Sequence, residues 1–139
     1  MTERIHAKVQ EAAAMALEES EELRGAGVRV VRQNSLALSE LVAKADALAK
    51  GVCIVVGVDS VRRMASNPVS WDVRFAAYAS EKVALRRAGA PTAIDAAMAA
   101  GEILQAAGIG HFESLEHSTP GDGVLEAVAH LSGTFVINS

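Results

Sequence analysis

Three stretches of the chain carry apolar residues at spacings of three and four, the pattern of helices that bury one face. They cover residues 4–23, 36–49 and 92–107. Glycine lies at or just beyond the end of each stretch, and in the third Thr92 and Asp95 have the spacing of a capping box. The pattern predicts three helices, each with one buried stripe and one solvated face.

Strand patterns lie between these helices and after the last one. Residues 28–32 are typical of a short strand, and residues 52–58 are apolar on both faces, which favours a central position in a sheet. An Asn67-Pro68 pair indicates a turn, reached through a loop that holds Arg62 and Arg63. Period-two alternation then predicts a strand with one solvated face over residues 69–78, and two more strands over residues 111–118 and 124–137.

These elements predict one α+β domain over residues 1–139, in the order α-β-α-β-β-α-β-β, with helices on a mainly antiparallel sheet. Hydrophobic residues make up 50% of the chain, which excludes a disordered chain. A net charge of -4 argues against a generic nucleic-acid binder. We also expect no membrane association, because no apolar stretch is long enough to span a bilayer, and no secretory signal at the start.

Candidate chemistry is sparse. Ser60 follows a buried strand but lacks the glycine pattern of a nucleophile elbow. His111, Glu113 and His117 have even spacing and could share one strand face, yet a zinc site needs more converging ligands, and Cys53 is the only thiol. The sequence therefore predicts no catalytic residue, no cofactor and no metal, and we expect the protein not to be an enzyme.

Charge is distributed unevenly along the chain. All thirteen Lys and Arg residues lie at or before Arg87, whereas six acidic residues and no basic ones follow it. If the two segments stay apart in space, the domain has a basic and an acidic side, which suits head-to-tail association into a ring. The residues that we predict at a subunit or tube interface are Arg62, Arg63, Arg74, Arg86, Arg87, Glu113, Glu116 and Glu126.

The order of these elements resembles that of bacteriophage tail terminator proteins, also called tail-completion or minor tail proteins of the lambda U type. The resemblance covers an N-terminal helix, a strand, the central strand over residues 52–58 and the loop with Arg62 and Arg63. It continues through the alternating strand over residues 69–78, the helix over residues 92–107 and the closing hairpin over residues 111–137.

The resemblance implies a virion protein, encoded by a phage or prophage, that assembles in the host cytoplasm and ends in the tail. Such proteins form a hexameric ring on the last ring of the tail tube. They stop polymerisation of the tube protein and present a surface to the head–tail connector protein, while DNA passes through the lumen without specific binding. The family carries no catalytic residues. The alternatives are another connector or tube protein, or a small enzyme or ligand-binding α+β domain.

Overall fold

The computed structural model describes residues 2–31, 51–64, 67–86, 88–121 and 123–136, and the elements below lie within these ranges. The helices are α1 (Thr2–Glu18), α2 (Glu21–Gly25) and α3 (Ala93–Ala106), with a 3₁₀ turn at Val83–Leu85. The strands are β1 (Arg29–Val31), β2 (Cys53–Met64), β3 (Asn67–Lys82), β4 (His111–Gly121) and β5 (Val124–Val136). The helix predicted over residues 36–49 lies outside the described residues.

One five-stranded sheet has the order β1-β2-β3-β5-β4. β1 pairs with β2 in parallel, and the three remaining pairings are antiparallel. The prediction of an α+β domain with a mainly antiparallel sheet is therefore confirmed. Along β3, alternate side chains from Trp71 to Ala79 belong to the core that α1 and α3 cover. We call this side the helix-covered face and the opposite side the open face.

Small side chains bring α3 close to the sheet. The buried residues of this helix are Ala93, Ala96, Ala97, Ala100, Gly101 and Leu104. Beneath them, Ala77 pairs with Ala129 and Ala79 pairs with Ala127, and all four alanines are fully buried. A Cβ atom on Gly101 would lie 2.6 Å from the Phe112 ring, so the helix and β4 meet more closely than any larger residue allows.

The start of α3 is fixed by two sets of polar contacts. Thr92 and Asp95 form the predicted capping box, in which each side chain accepts a hydrogen bond from the other residue's backbone N–H. The contact with the Thr92 N–H lowers the pKa of the Asp95 carboxyl. Glu81, which is 3% exposed, accepts the backbone N–H of Ala93 at 3.0 Å and two bonds from the Arg86 guanidinium. The buried carboxylate thus joins the end of β3 to the first residue of α3.

Several predicted boundaries were wrong. The helix predicted over residues 4–23 is two helices, because the Ser20 hydroxyl accepts the Leu23 N–H and begins a new helix after Glu18. β2 does not end at residue 58 but continues to Met64, so that Arg62 and Arg63 lie in a strand and not in a loop. Asn67 is the first residue of β3, not a turn residue.

The β2 prediction failed because a bulge at Asp59 breaks the alternation. Val58 pairs with Phe75, but Ser60 pairs with Arg74, so one residue of β2 has no partner on β3. Beyond the bulge Val61 packs against the core, and Arg63 places its guanidinium 5.2 Å from the centre of the Trp71 ring. A cationic side chain therefore takes the place of an apolar one on the helix-covered side of the sheet.

Gly110, just before β4, lies in a closely packed position. A Cβ atom there would lie 2.6 Å from the Phe75 ring and 3.2 Å from the Ser132 carbonyl oxygen, and Phe75 is fully buried. We expect Gly110→Ala to lower the free energy of unfolding by about 1–3 kcal/mol, because neither neighbour can move away. Urea denaturation measures the change.

The matched control is Gly25→Ala, at a position with no atom within 4 Å of the added Cβ. We expect this variant to unfold at the same urea concentration as the parent chain, or slightly above it. Equal destabilisation by the two substitutions would contradict the close packing at Gly110.

Candidate interaction surface

The open face of the sheet lies opposite α1 and α3, and it is only partly exposed. Cys53, Ala76 and Ser80 on it are buried, whereas the side chains towards β4 and the end of the β2–β3 hairpin reach solvent. The open face is formed by the side chains that alternate with the core residues on each strand. Both charge signs occur on it, together with half-buried apolar groups. Its members include Val55, Ser60, Arg62, Asp72, Arg74, Tyr78, Glu116, Glu126, Val128, His130 and Ser132.

Tyr78 lies across the middle of this face. Its hydroxyl donates a 2.7 Å hydrogen bond to Asp59 Oδ1, and its ring would lie 3.0 Å from a Cβ atom on Gly57. Partial burial, the hydrogen bond to Asp59 and the nearby negative charges of Asp59 and Glu126 raise the pKa of Tyr78 to about 12. The contact holds the bulge of β2 against β3.

A second bulge faces the first one across the sheet. Phe112 pairs with Leu131 but Ser114 pairs with His130, which leaves Glu113 without a partner on β5. An open depression of about 430 Å³ lies between the two bulges. Its lining residues are Asp59, Arg74, Phe75, Glu113, Ser114, Glu116, His130 and Leu131. In it one guanidinium shares the space with three carboxylates and an imidazole.

This depression brings together three of the predicted interface residues, Arg74, Glu113 and Glu116. The uneven charge along the sequence therefore does not become two separate sides here, because β5 and β4 return the acidic segment beside β3. His130 Nε2 lies 3.7 Å from Glu116 Oε2, which is an ion pair when the imidazole is protonated. The depression carries an excess of negative charge, because one guanidinium lies among three carboxylates.

The other predicted interface residues are dispersed. Arg86 is bound to the buried carboxylate of Glu81, with Nη2 at 2.7 Å from Oε1, so its guanidinium is held by a residue of its own chain. Glu126 lies on the open face beside Tyr78, and Arg62 and Arg63 lie together near the end of the β2–β3 hairpin. Arg87 lies outside the described residues.

The hairpin end also carries exposed apolar side chains that the sequence analysis missed. Met64 is 36% exposed and Val136 is 58% exposed, and β3 and β5 pair up to Ser70 and Val136. The alternation of β3 could have placed Tyr78 and Arg74 on one solvated face. Asp59 and Glu113 could be placed at the same depression only if the positions of the two bulges were known, and the sequence gives no signal for these positions.

The interpretation of His111, Glu113 and His117 as residues of one strand face was wrong. His111 pairs with Ser132 on the open face, whereas His117 pairs with Ala127 on the helix-covered face, because the bulge at Glu113 shifts the alternation by one residue. Within the described ranges, no three His, Cys, Asp or Glu side chains lie close enough together to hold a metal ion. Cys53 is fully buried, as predicted for a small core residue.

Within the described part of the chain, no helix is long and apolar enough to cross a membrane. Comparison of the sequence with protein-family models finds no match, and comparison with curated proteins finds none either.

Tyr78 is the only tyrosine, so its ionisation can be followed by absorbance alone. We expect the phenol of the native chain to titrate near pH 12, read after a rapid pH jump and before unfolding. Since the pKa is raised from 10.0 to about 12, this group stabilises the fold fully below pH 10 and loses that contribution as pH rises through 12.

Asp59→Asn should lower the pKa of Tyr78 towards its ordinary value while leaving it raised, because burial remains the largest cause. The matched control is Asp72→Asn, which removes a carboxylate from the same face of the sheet but not from the hydroxyl. A native midpoint near pH 10, or equal shifts in the two variants, would contradict the Tyr78–Asp59 contact.

Proposed function

We propose that the protein is a structural subunit of a bacteriophage tail, a tail terminator-like protein whose copies form a hexameric ring on the tail tube. The ring stops polymerisation of the tube protein and gives the head–tail connector protein a surface to bind. The partners are thus further copies of the chain, the tube protein and the connector protein. The chain acts in the virion, after assembly in the host cytoplasm, and catalyses no reaction.

The observation that carries this proposal is the mixed composition of the exposed part of the open face, opposite α1 and α3. Both long described helices pack on the same face, and the opposite face holds exposed side chains of both signs beside half-buried valines and Tyr78. A surface of this composition is typical of non-obligate interfaces, which are about as polar as the rest of a protein surface. It suits a subunit that is folded on its own and then joins others.

The chain's charge supports passage of DNA through such a ring. Duplex DNA is held mainly by contacts from Lys and Arg to its phosphates, and the chain has a net charge of -4. The most central cation on the open face, Arg74, lies among Asp59, Glu113 and Glu116. We expect the ring to retain no duplex DNA at physiological salt.

A ligand-binding domain is the second candidate, and the depression between the bulges is the observation in its favour. It is open to solvent, and it presents one guanidinium and one imidazole beside three carboxylates. A small cationic ligand is the class that this charge balance fits best. Saturable binding of such a ligand by a monomer would favour this function over the ring.

The test is the assembly state of the purified chain. Light scattering coupled to gel filtration, together with negative-stain images, should give closed rings of one size, and rings added to polymerising tube protein of the same phage should yield short, capped tubes. Open filaments of the chain alone would instead indicate a tube protein, and binding to the portal side a head–tail joining protein. Monomers at high concentration, with no rings on tubes, would contradict the proposal.

A second, independent check is the position of the gene. Neighbouring genes for tail tube and tape-measure proteins are expected on this proposal. A neighbourhood of metabolic enzymes would argue against it.

A further inference from the structure

Two edges of the sheet have no strand partner within the described part of the chain. β4 is the outermost strand on one side. On the other side β1 pairs with β2 only as far as Val55, so residues 57–64 of β2 continue without a described neighbour. Among the described residues, a side chain contacts the beginning of each edge: Gln105 accepts the Phe112 N–H, and Gln10 donates to the Val56 carbonyl.

These edges carry opposite charge. We call β4 the acidic edge, since its charged carboxylates are Glu113 and Glu116, both exposed. We call residues 57–64 the basic edge, since it carries Arg62 and Arg63, both exposed. The remaining charged residue of the basic edge, Asp59, accepts a hydrogen bond from Tyr78. Opposite charges placed on two different edges favour contact between unlike edges and oppose contact between like ones.

The strand directions allow the two edges to pair between copies. β3 is antiparallel to β2, β5 to β3 and β4 to β5, so β4 runs opposite to β2. Consider copies that are related by rotation about an axis roughly parallel to the strands. The acidic edge of one copy then meets the basic edge of the next, and the two strands are antiparallel. Unlike edges make a head-to-tail contact, which closes into a ring if the rotation closes.

The heights of the two edges agree with a closed sheet of tilted strands. Glu116, in the middle of β4, lies level with Val55 through Val128 and Tyr78, whereas the basic edge has its middle near Ser60. The offset is about five residues, or about 17 Å at the usual rise of a strand. Closing a sheet into a barrel requires a stagger of this kind, because the strands tilt relative to the axis.

We propose that β4 of one copy adds to residues 57–64 of the next copy, with Glu113 and Glu116 facing Arg62 and Arg63, so that the sheets form one continuous wall around the ring. This inference rests on the ring proposed above and names its subunit contact. Backbone hydrogen bonds between the edges supply affinity, and the charged side chains select the unlike edge. The open face of every copy then lies on the same side of the wall.

Charge reversal on either edge tests the contact. The acidic-edge variant is Glu113→Lys with Glu116→Lys, and the basic-edge variant is Arg62→Glu with Arg63→Glu. Each places like charges across the contact, and each should raise the dissociation constant of the ring by about tenfold or more. Gel filtration with light scattering measures the loss of rings, and the fluorescence of Trp71, the only tryptophan, reports assembly beside the basic edge.

Two controls separate assembly from folding. Lys8→Glu with Glu19→Lys reverses exposed charges on α1 and just after its end, on neither edge strand, and should leave the rings intact. Arg62→Glu alone keeps the Arg63 guanidinium over Trp71, so it weakens the contact without removing that packing. Circular dichroism and urea denaturation should give the same fold for every variant.

Mixing gives the decisive result. An acidic-edge variant keeps a native basic edge, and a basic-edge variant keeps a native acidic edge, so an equimolar mixture offers opposite charges at every junction. We expect the mixture, and also the chain that carries all four substitutions, to recover rings that neither double variant forms alone.

Every other outcome of these experiments overturns either the edge contact or the ring proposal as well. Rings that persist in both double variants, or that fail to return in the mixture, overturn the edge contact and leave the ring proposal standing. A parent chain that stays monomeric at every concentration overturns both. Aggregation of the double variants without rings, while the mixture stays soluble and monomeric, means that the charges only protect the edges, and it overturns the contact.

Discussion

The close approach of α3 to the centre of the sheet is the constraint on which the remaining structure depends. The buried alanines of α3 pack over the alanines of β3 and β5, and Gly101 of the same helix meets the Phe112 ring of β4. Little apolar area is buried per residue in such a contact, so its stability comes from the number of close atom pairs. Larger side chains, among them Phe75, Leu131 and Leu104, fill the space around these alanines.

A helix held this close needs its first turn fixed, and Glu81 does this from below. Its carboxylate is almost fully buried, where an isolated charge would be costly. The Ala93 N–H and the Arg86 guanidinium supply the compensation, and the N-terminal end of the helix dipole adds to it. Arg86 therefore has a role in stabilising the fold, although in the sequence it is one of several basic residues in the same segment.

The sequence predicts those features that depend on local patterns. Apolar stripes located the N-terminal and third helices, the Thr92–Asp95 spacing located a helix start, and alternation located β3 and β5. It could not locate the bulges at Asp59 and Glu113, because one extra residue in a strand is set by contacts with the neighbouring strands. The errors at Arg62, Arg63 and His117 all follow from these two residues. The charged depression could be predicted even less well than the fold, because the distribution of charge along a chain does not show which strands become neighbours.

The two bulges also explain where the charged depression of the open face lies. Both follow residues at the same level of the sheet, since Val58 pairs with Phe75, Phe75 with Leu131 and Leu131 with Phe112. A bulge increases the local twist and bends its strand. The two bulges therefore bend β2 and β4 locally at the level of Phe75 and Leu131, which is also the level of the depression. The depression is a consequence of these two extra residues, because Asp59 and Glu113, which have no partner on the neighbouring strand, both line it.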